Sequence, residues 1–91
     1  MEIDVHLHSI LRECLPPDAE RGRATVKVPE GATLVDLIRQ LGIDKRLGYD
    51  AEDVVTGASW HVMVSGSVES DLSRKLQPGD EVRILPPVGG G

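Results

Sequence analysis

The sequence predicts an α+β fold, a mixed sheet of four or five strands with one main helix packed on one face. Three observations lead there. Several short segments alternate apolar and polar residues with the period of a half-buried strand. One segment carries apolar residues at helical spacing between suitable capping residues. The order is strand, strand, helix, strand, short strand, strand, and a single helix laid across a single sheet is the economical way to bury every apolar stripe. At 91 residues the chain has room for one core only.

Each element has its own signal. Ile3, Val5 and Leu7 face one way and Asp4, His6 and His8 the other, so residues 3–8 read as the first strand. Residues 9–15 show no decided period, and Pro16-Pro17-Asp18 interrupts them as a loop would. Residues 24–28 read as a second strand, antiparallel to the first, with Val26 and Val28 on one face and Pro29-Glu30-Gly31 closing it. Thr33 is placed to cap a helix, with Asp36 three residues on as the reciprocal partner. Leu34, Leu37, Ile38 and Leu41 then form one apolar stripe, and Gly42 stands where a left-handed cap belongs. Residues 43–59 carry no readable period. Trp60, Val62 and Val64 alternate with His61 and Met63 as a third strand. Ser65-Gly66 marks a turn and residues 67–69 a short edge strand. Pro78-Gly79 occupies the centre of a strong turn, and residues 81–85 form the last strand, with Val82 and Ile84 inward and Glu81, Arg83 and Leu85 outward. This is the β-grasp arrangement.

Composition excludes several function classes. The net charge of −5 argues against nucleic acid, which recruits basic surfaces, and favours a docking partner with a basic face. Cys14, the one cysteine, rules out an internal disulfide framework, a thiolate-only metal cage and a four-cysteine iron–sulfur site. No basic-then-apolar leader opens the chain and no apolar run approaches membrane-spanning length, so a soluble, cytoplasmic protein with no membrane partner is expected.

The ending is the most informative stretch: Leu85-Pro86-Pro87-Val88-Gly89-Gly90-Gly91. Two prolines cannot extend a central ladder, so the domain should close at residue 85 and residues 86–91 leave it as a flexible tail. Glycine has no Cβ and accepts any φ, which suits a backbone that must enter a narrow channel. The tail's extended reach is up to about 20 Å.

Here the chain resembles the MoaD/ThiS sulfur carriers, relatives of ubiquitin, and most closely the small subunit of molybdopterin synthase. The resemblance runs from the opening strand through Gly31-Ala32-Thr33-Leu34 and Pro78-Gly79-Asp80-Glu81-Val82 to Ile84-Leu85-Pro86-Pro87-Val88-Gly89-Gly90-Gly91. That subunit usually ends in Pro-Pro-Val, a small residue and Gly-Gly. Gly89 therefore replaces the small residue, and Leu85 stands where a Phe is common.

The resemblance implies a ubiquitin-like fold and a two-step chemistry. A ubiquitin-activating-type adenylyltransferase would use ATP to adenylate the Gly91 carboxylate, with Gly90 completing the functional pair. Sulfur from a persulfide donor would then replace AMP to leave a thiocarboxylate. The chain would be a carrier and substrate, binding no cofactor itself, and at most the non-catalytic subunit of an enzyme. Pro86, Pro87, Val88 and Gly89 would lie in the partner's channel, whether that of the activating enzyme or of the large subunit of molybdopterin synthase. If the first, third and last strands are neighbours, His6, His61, Met63, Arg83 and Leu85 share the face opposite the helix. In this superfamily that face docks the activating enzyme, which makes His61, Met63, Arg83 and Leu85 candidate partner contacts.

Other readings stay beside this one. A carrier for thiamine or cysteine synthesis has the same terminal chemistry. So does a ubiquitin-like modifier that joins Gly91 to lysines, and a purely scaffolding module would not need Gly91 at all. His6, His8 and His61 are expected to be ordinary surface histidines rather than metal ligands. Cys14 is expected to be a small apolar filler rather than a persulfide relay.

Overall fold

The computed structural model describes residues 1–57 and 59–86. Five strands, β1 (Glu2–Leu7), β2 (Arg23–Lys27), β3 (His61–Val64), β4 (Ser67–Val68) and β5 (Glu81–Leu85), form one mixed sheet in the order β2-β1-β5-β3-β4. β1 and β5 run parallel, and every other neighbouring pair is antiparallel. The strand that leads into the tail is thus the middle of the sheet. Alternation explains the burial: Ile3, Val5, Leu7, Val62, Val64, Val82 and Ile84 all point to one face and are buried.

The main helix, α1 (Leu34–Leu41), covers that face. Its start is fixed by a reciprocal pair. The Asp36 N–H donates to Thr33 Oγ1 at 3.2 Å, and the Thr33 N–H donates to Asp36 Oδ2 at 3.0 Å. Gly42 ends it in the left-handed region at φ 75°. Leu34, Leu37 and Ile38 are buried as the stripe requires, Val35 is buried with them, and two further helices pack against α1. Leu41 is only half-buried. An eight-residue helix has little stability of its own and is held by this packing.

The unreadable segments are short helices. Residues 9–15 contain a 3-10 helix, Ser9–Cys14, which sends Leu11 into the core. Residues 43–59 contain α2 (Ile43–Leu47) and α3 (Ala51–Thr56), which bury Ile43, Ala51, Val54 and Val55. Trp60, expected as the first residue of β3, lies just before the strand and is half-buried. The second strand spans Arg23–Lys27 rather than 24–28, although the Val28 N–H still bonds to the Met1 carbonyl at 2.9 Å.

The turns are those expected. Ser65 and Gly66 both have positive φ, as a two-residue hairpin link between right-twisted strands requires. Across Gln77-Pro78-Gly79-Asp80 the Asp80 N–H donates to the Gln77 carbonyl at 3.0 Å, with Gly79 at φ 84°. No helix among the described residues is long and apolar enough to cross a membrane.

Candidate functional site

The strand registers bring the outward residues together. His6 lies opposite Arg23 on β2 and Arg83 on β5; Arg83 lies opposite Met63 on β3; Met63 lies opposite Val68 on β4. One row, Arg23, His6, Arg83, Met63 and Val68, therefore crosses all five strands on the face away from the helices. His61 pairs with Leu85 toward the tail end, and Asp4 pairs with Thr25 and Glu81 toward the other. The expected adjacency of β1, β3 and β5 holds. So does the shared face of His6, His61, Met63, Arg83 and Leu85.

That face is mixed rather than oily. Met63, Arg83, Leu85 and Pro86 are half-buried and His61 is exposed. Val68, 70% exposed on the edge strand, is the most open large apolar side chain of the row. It escaped the sequence reading because a two-residue strand has no period of its own. Met63, Gly66, Glu81 and Arg83 line a small hollow of about 130 Å³. A larger groove of about 540 Å³ runs along β1 and β2, lined among others by His6, Arg21, Arg23 and Glu81.

The electrostatics are concentrated around Arg83. Its Nη2 donates to Glu81 Oε1 at 3.3 Å, and Glu81 also stands 4.0 Å from Arg23. The His6 and His8 rings sit 4.4 Å apart. Burial pushes the pKa of His6 below 6.5, and the His8, Arg83 and Arg23 charges push the same way. His8 is lowered by burial first and then by Arg83 and Arg12. Both rings are therefore neutral at neutral pH. His6 Nδ1, His8 Nε2 and Arg83 Nε are covered and have no hydrogen-bond partner among the described residues.

The remaining candidates fall away from this face. Among the described residues no three His, Cys, Asp or Glu side chains are grouped to hold a metal ion. Cys14 packs half-buried against the core, and burial raises its thiol pKa above the usual 9.0. A raised pKa disfavours the thiolate, the form that would have to attack a donor for Cys14 to become a persulfide. Of the tail residues, Pro86 directly follows β5. Pro87, Val88, Gly89, Gly90 and Gly91 lie outside the described residues.

Comparison with known proteins decides what this arrangement belongs to. The sequence model described as "ThiS family" matches residues 5–91, nearly the whole chain and its last residue included. The chain belongs to the ThiS family. Family membership makes it a small carrier-type protein, a sulfur carrier or ubiquitin-like modifier. Solved structures agree on the fold. SAMP1 from Haloferax volcanii is 26% identical over 100% of both chains, with a TM-score of 0.62. A putative molybdopterin converting factor, subunit 1, from Pyrococcus furiosus is 22% identical over 96% of this chain and 98% of its own, with a TM-score of 0.66. A Helicobacter pylori chain, from the complex of subunits 1 and 2 of molybdopterin-converting factor, is 21% identical over 100% of both chains, with a TM-score of 0.60. No curated protein sequence matches the chain. The fold of this ThiS-family protein is the ubiquitin-like β-grasp.

Proposed function

We propose that this ThiS-family protein is a sulfur carrier whose Gly91 carboxylate is adenylated and converted to a thiocarboxylate, and that it serves molybdopterin formation. The observation that carries the reading is the family match, which extends through Pro86-Pro87-Val88 to the terminal Gly90-Gly91. The neighbours named as molybdopterin-converting factor subunits, one of them solved with its subunit 2, support the choice of pathway.

The chemistry follows from the terminus. A free carboxylate is resonance-stabilised and resists acyl transfer. ATP on a ubiquitin-activating-type adenylyltransferase turns Gly91 into an acyl adenylate and releases pyrophosphate. A persulfide on a donor protein attacks that carbonyl and expels AMP, leaving an acyl disulfide. A second thiol then takes the donor's sulfur into a disulfide and frees the thiocarboxylate. This chain supplies the reactive end and the surface that presents it, and the partners supply positioning and charge stabilisation. Cys14 is a poor candidate for that second thiol, because burial raises its pKa and disfavours the thiolate. The row containing Arg83 and Met63, with Leu85 and His61 next to the tail, is the surface offered to the activating enzyme and then to the large subunit of molybdopterin synthase.

A second reading has its own observation: SAMP1, a small archaeal modifier protein, is similar across its full length. In that reading Gly91 forms isopeptide bonds with lysines. Intact mass after incubation with the activating enzyme, ATP and a sulfur donor separates the two. A gain of about 16 Da, oxygen exchanged for sulfur on the activated acyl group, abolished by deleting Gly91, establishes the carrier. Higher-mass conjugates without that gain establish the modifier. Neither product would overturn both.

A further inference from the structure

The geometry points to a second anchor beside the tail: a small aromatic pocket, formed by Tyr49, Trp60 and Asp53, that receives an arginine side chain of the protein partner. Tyr49 and Trp60 are the chain's only aromatic side chains apart from histidine. They lie in two separate connecting segments, one after α2 and one just before β3, yet they line one cavity of about 210 Å³ together with Asp53, Val54, Gly57 and Ser59. The buried core of the described residues is aliphatic throughout. Aromatic rings are the largest apolar groups available for a core, and here one is left 47% exposed and the other only half-buried.

Size and charge together select the occupant. Small-molecule pockets run from about 300 to 1,000 Å³, so this one suits a single side chain better than a metabolite. Glu52 is engaged by Arg39 at 3.0 Å, whereas the neighbouring Asp53 has no ion-pair partner among the described residues. A cavity lined by an acidic residue, an indole and a phenol suits a cation with a flat apolar face. Guanidinium meets that description better than ammonium, because it can stack on a ring and present paired N–H donors to the carboxylate. The chain's net charge of −5 favours a basic partner surface in the same way.

Gly57, another lining residue, closes α3 tightly. Its N–H donates to the Asp53 carbonyl at 2.7 Å, and a Cβ there would stand 2.5 Å from the same oxygen. The pocket is also in the right place. Trp60 precedes His61, His61 pairs with Leu85, and Leu85 leads into Pro86. The pocket thus sits beside the base of the tail but on the side of the sheet that carries α3, where a protein holding the tail would reach round to it. Only this identification of the partner rests on the carrier reading; the pocket's preference for a cation does not.

The test uses the intact chain. Trp60 is the sole tryptophan, so its fluorescence and the NMR signals of Tyr49, Asp53 and Trp60 report occupancy directly. N-acetyl-arginine amide should bind saturably at a dissociation constant on the order of 10 mM. The neutral isostere N-acetyl-citrulline amide should bind at least about tenfold more weakly, a difference of ~1.4 kcal/mol. Asp53→Asn and Tyr49→Ala, both surface changes, should weaken the arginine response while leaving the rest of the spectrum in place. Equal binding of citrulline, or an unchanged response in Asp53→Asn, overturns the pocket. The chain lacking Gly91 should respond like the full chain, so failure of the tail chemistry would not be mistaken for failure here. With the activating enzyme, Asp53→Lys should raise KM for this protein about tenfold at unchanged kcat. An unchanged KM overturns the partner's arginine.

Discussion

His6 and His8 put two titratable rings 4.4 Å apart on the outer face, close to Arg83, and both have pKa values held below 6.5. In the unfolded chain each takes up a proton near 6.5; in the folded chain each does so only at lower pH. The unfolded state therefore binds more protons below that point, and folding stability falls as pH drops through about 6.5 toward the folded values. Urea melts between pH 7.5 and pH 5 should show a midpoint that is flat above neutrality and declines below it, and the double variant His6→Gln, His8→Gln should lose most of that slope. At the same scale, Met63→Asp and Leu85→Asp should each raise KM for activation by about tenfold or more while the domain's melt stays near wild type. Normal kinetics in both would remove the sheet face from the docking surface. These outward residues were legible in the sequence because a strand's period of two assigns faces without any knowledge of the fold. Tyr49, Trp60 and Asp53 were not, since they converge only through the turns around Gly48 and Gly57, in a stretch with no period to read.

At the level of elements, the chain announces those it builds with local chemistry. Thr33 and Asp36 satisfy each other's backbone N–H groups, and Gly42 closes the same helix, so α1 was readable to its ends. Thr33→Ala removes one of those bonds and the reason for the other, and should cost about 1 kcal/mol in a denaturant melt. Gly22 carries a different kind of information. It sits at φ 78°, and a Cβ would stand 2.6 Å from the Leu7 carbonyl. Its own carbonyl accepts the Leu7 N–H at 2.8 Å. Gly22→Ala should therefore destabilise by more than about 1 kcal/mol, at the join of β1 and β2. The elements that stayed hidden, the 3-10 helix Ser9–Cys14, α2 and α3, have five or six residues each. That is at most two turns, too short to repeat an apolar stripe, and they are held by packing on the rest of the fold.

For the molecule as a whole, those hidden pieces are part of the core rather than decoration. Leu11, from the 3-10 helix, is fully buried beside the residues of the sheet and α1. Leu11→Ala should cost about 2–5 kcal/mol, measured by the same melts, even though its segment has no recognisable pattern. A cost under ~1 kcal/mol would mean the segment only lies against the domain. The sheet order has a mechanical meaning too. β1 and β5 are parallel neighbours, and β5 is also gripped by β3 on its other side. A pull on the C-terminal end of β5 against the N-terminal end of β1 acts along both strands in opposite directions, so their hydrogen bonds must yield together instead of peeling one at a time. Tension between residue 85 and the N-terminus would therefore shear these two strands rather than peel them apart. Force carried into β5 is thus spread over the whole β1–β5 ladder rather than concentrated on one hydrogen bond at its end.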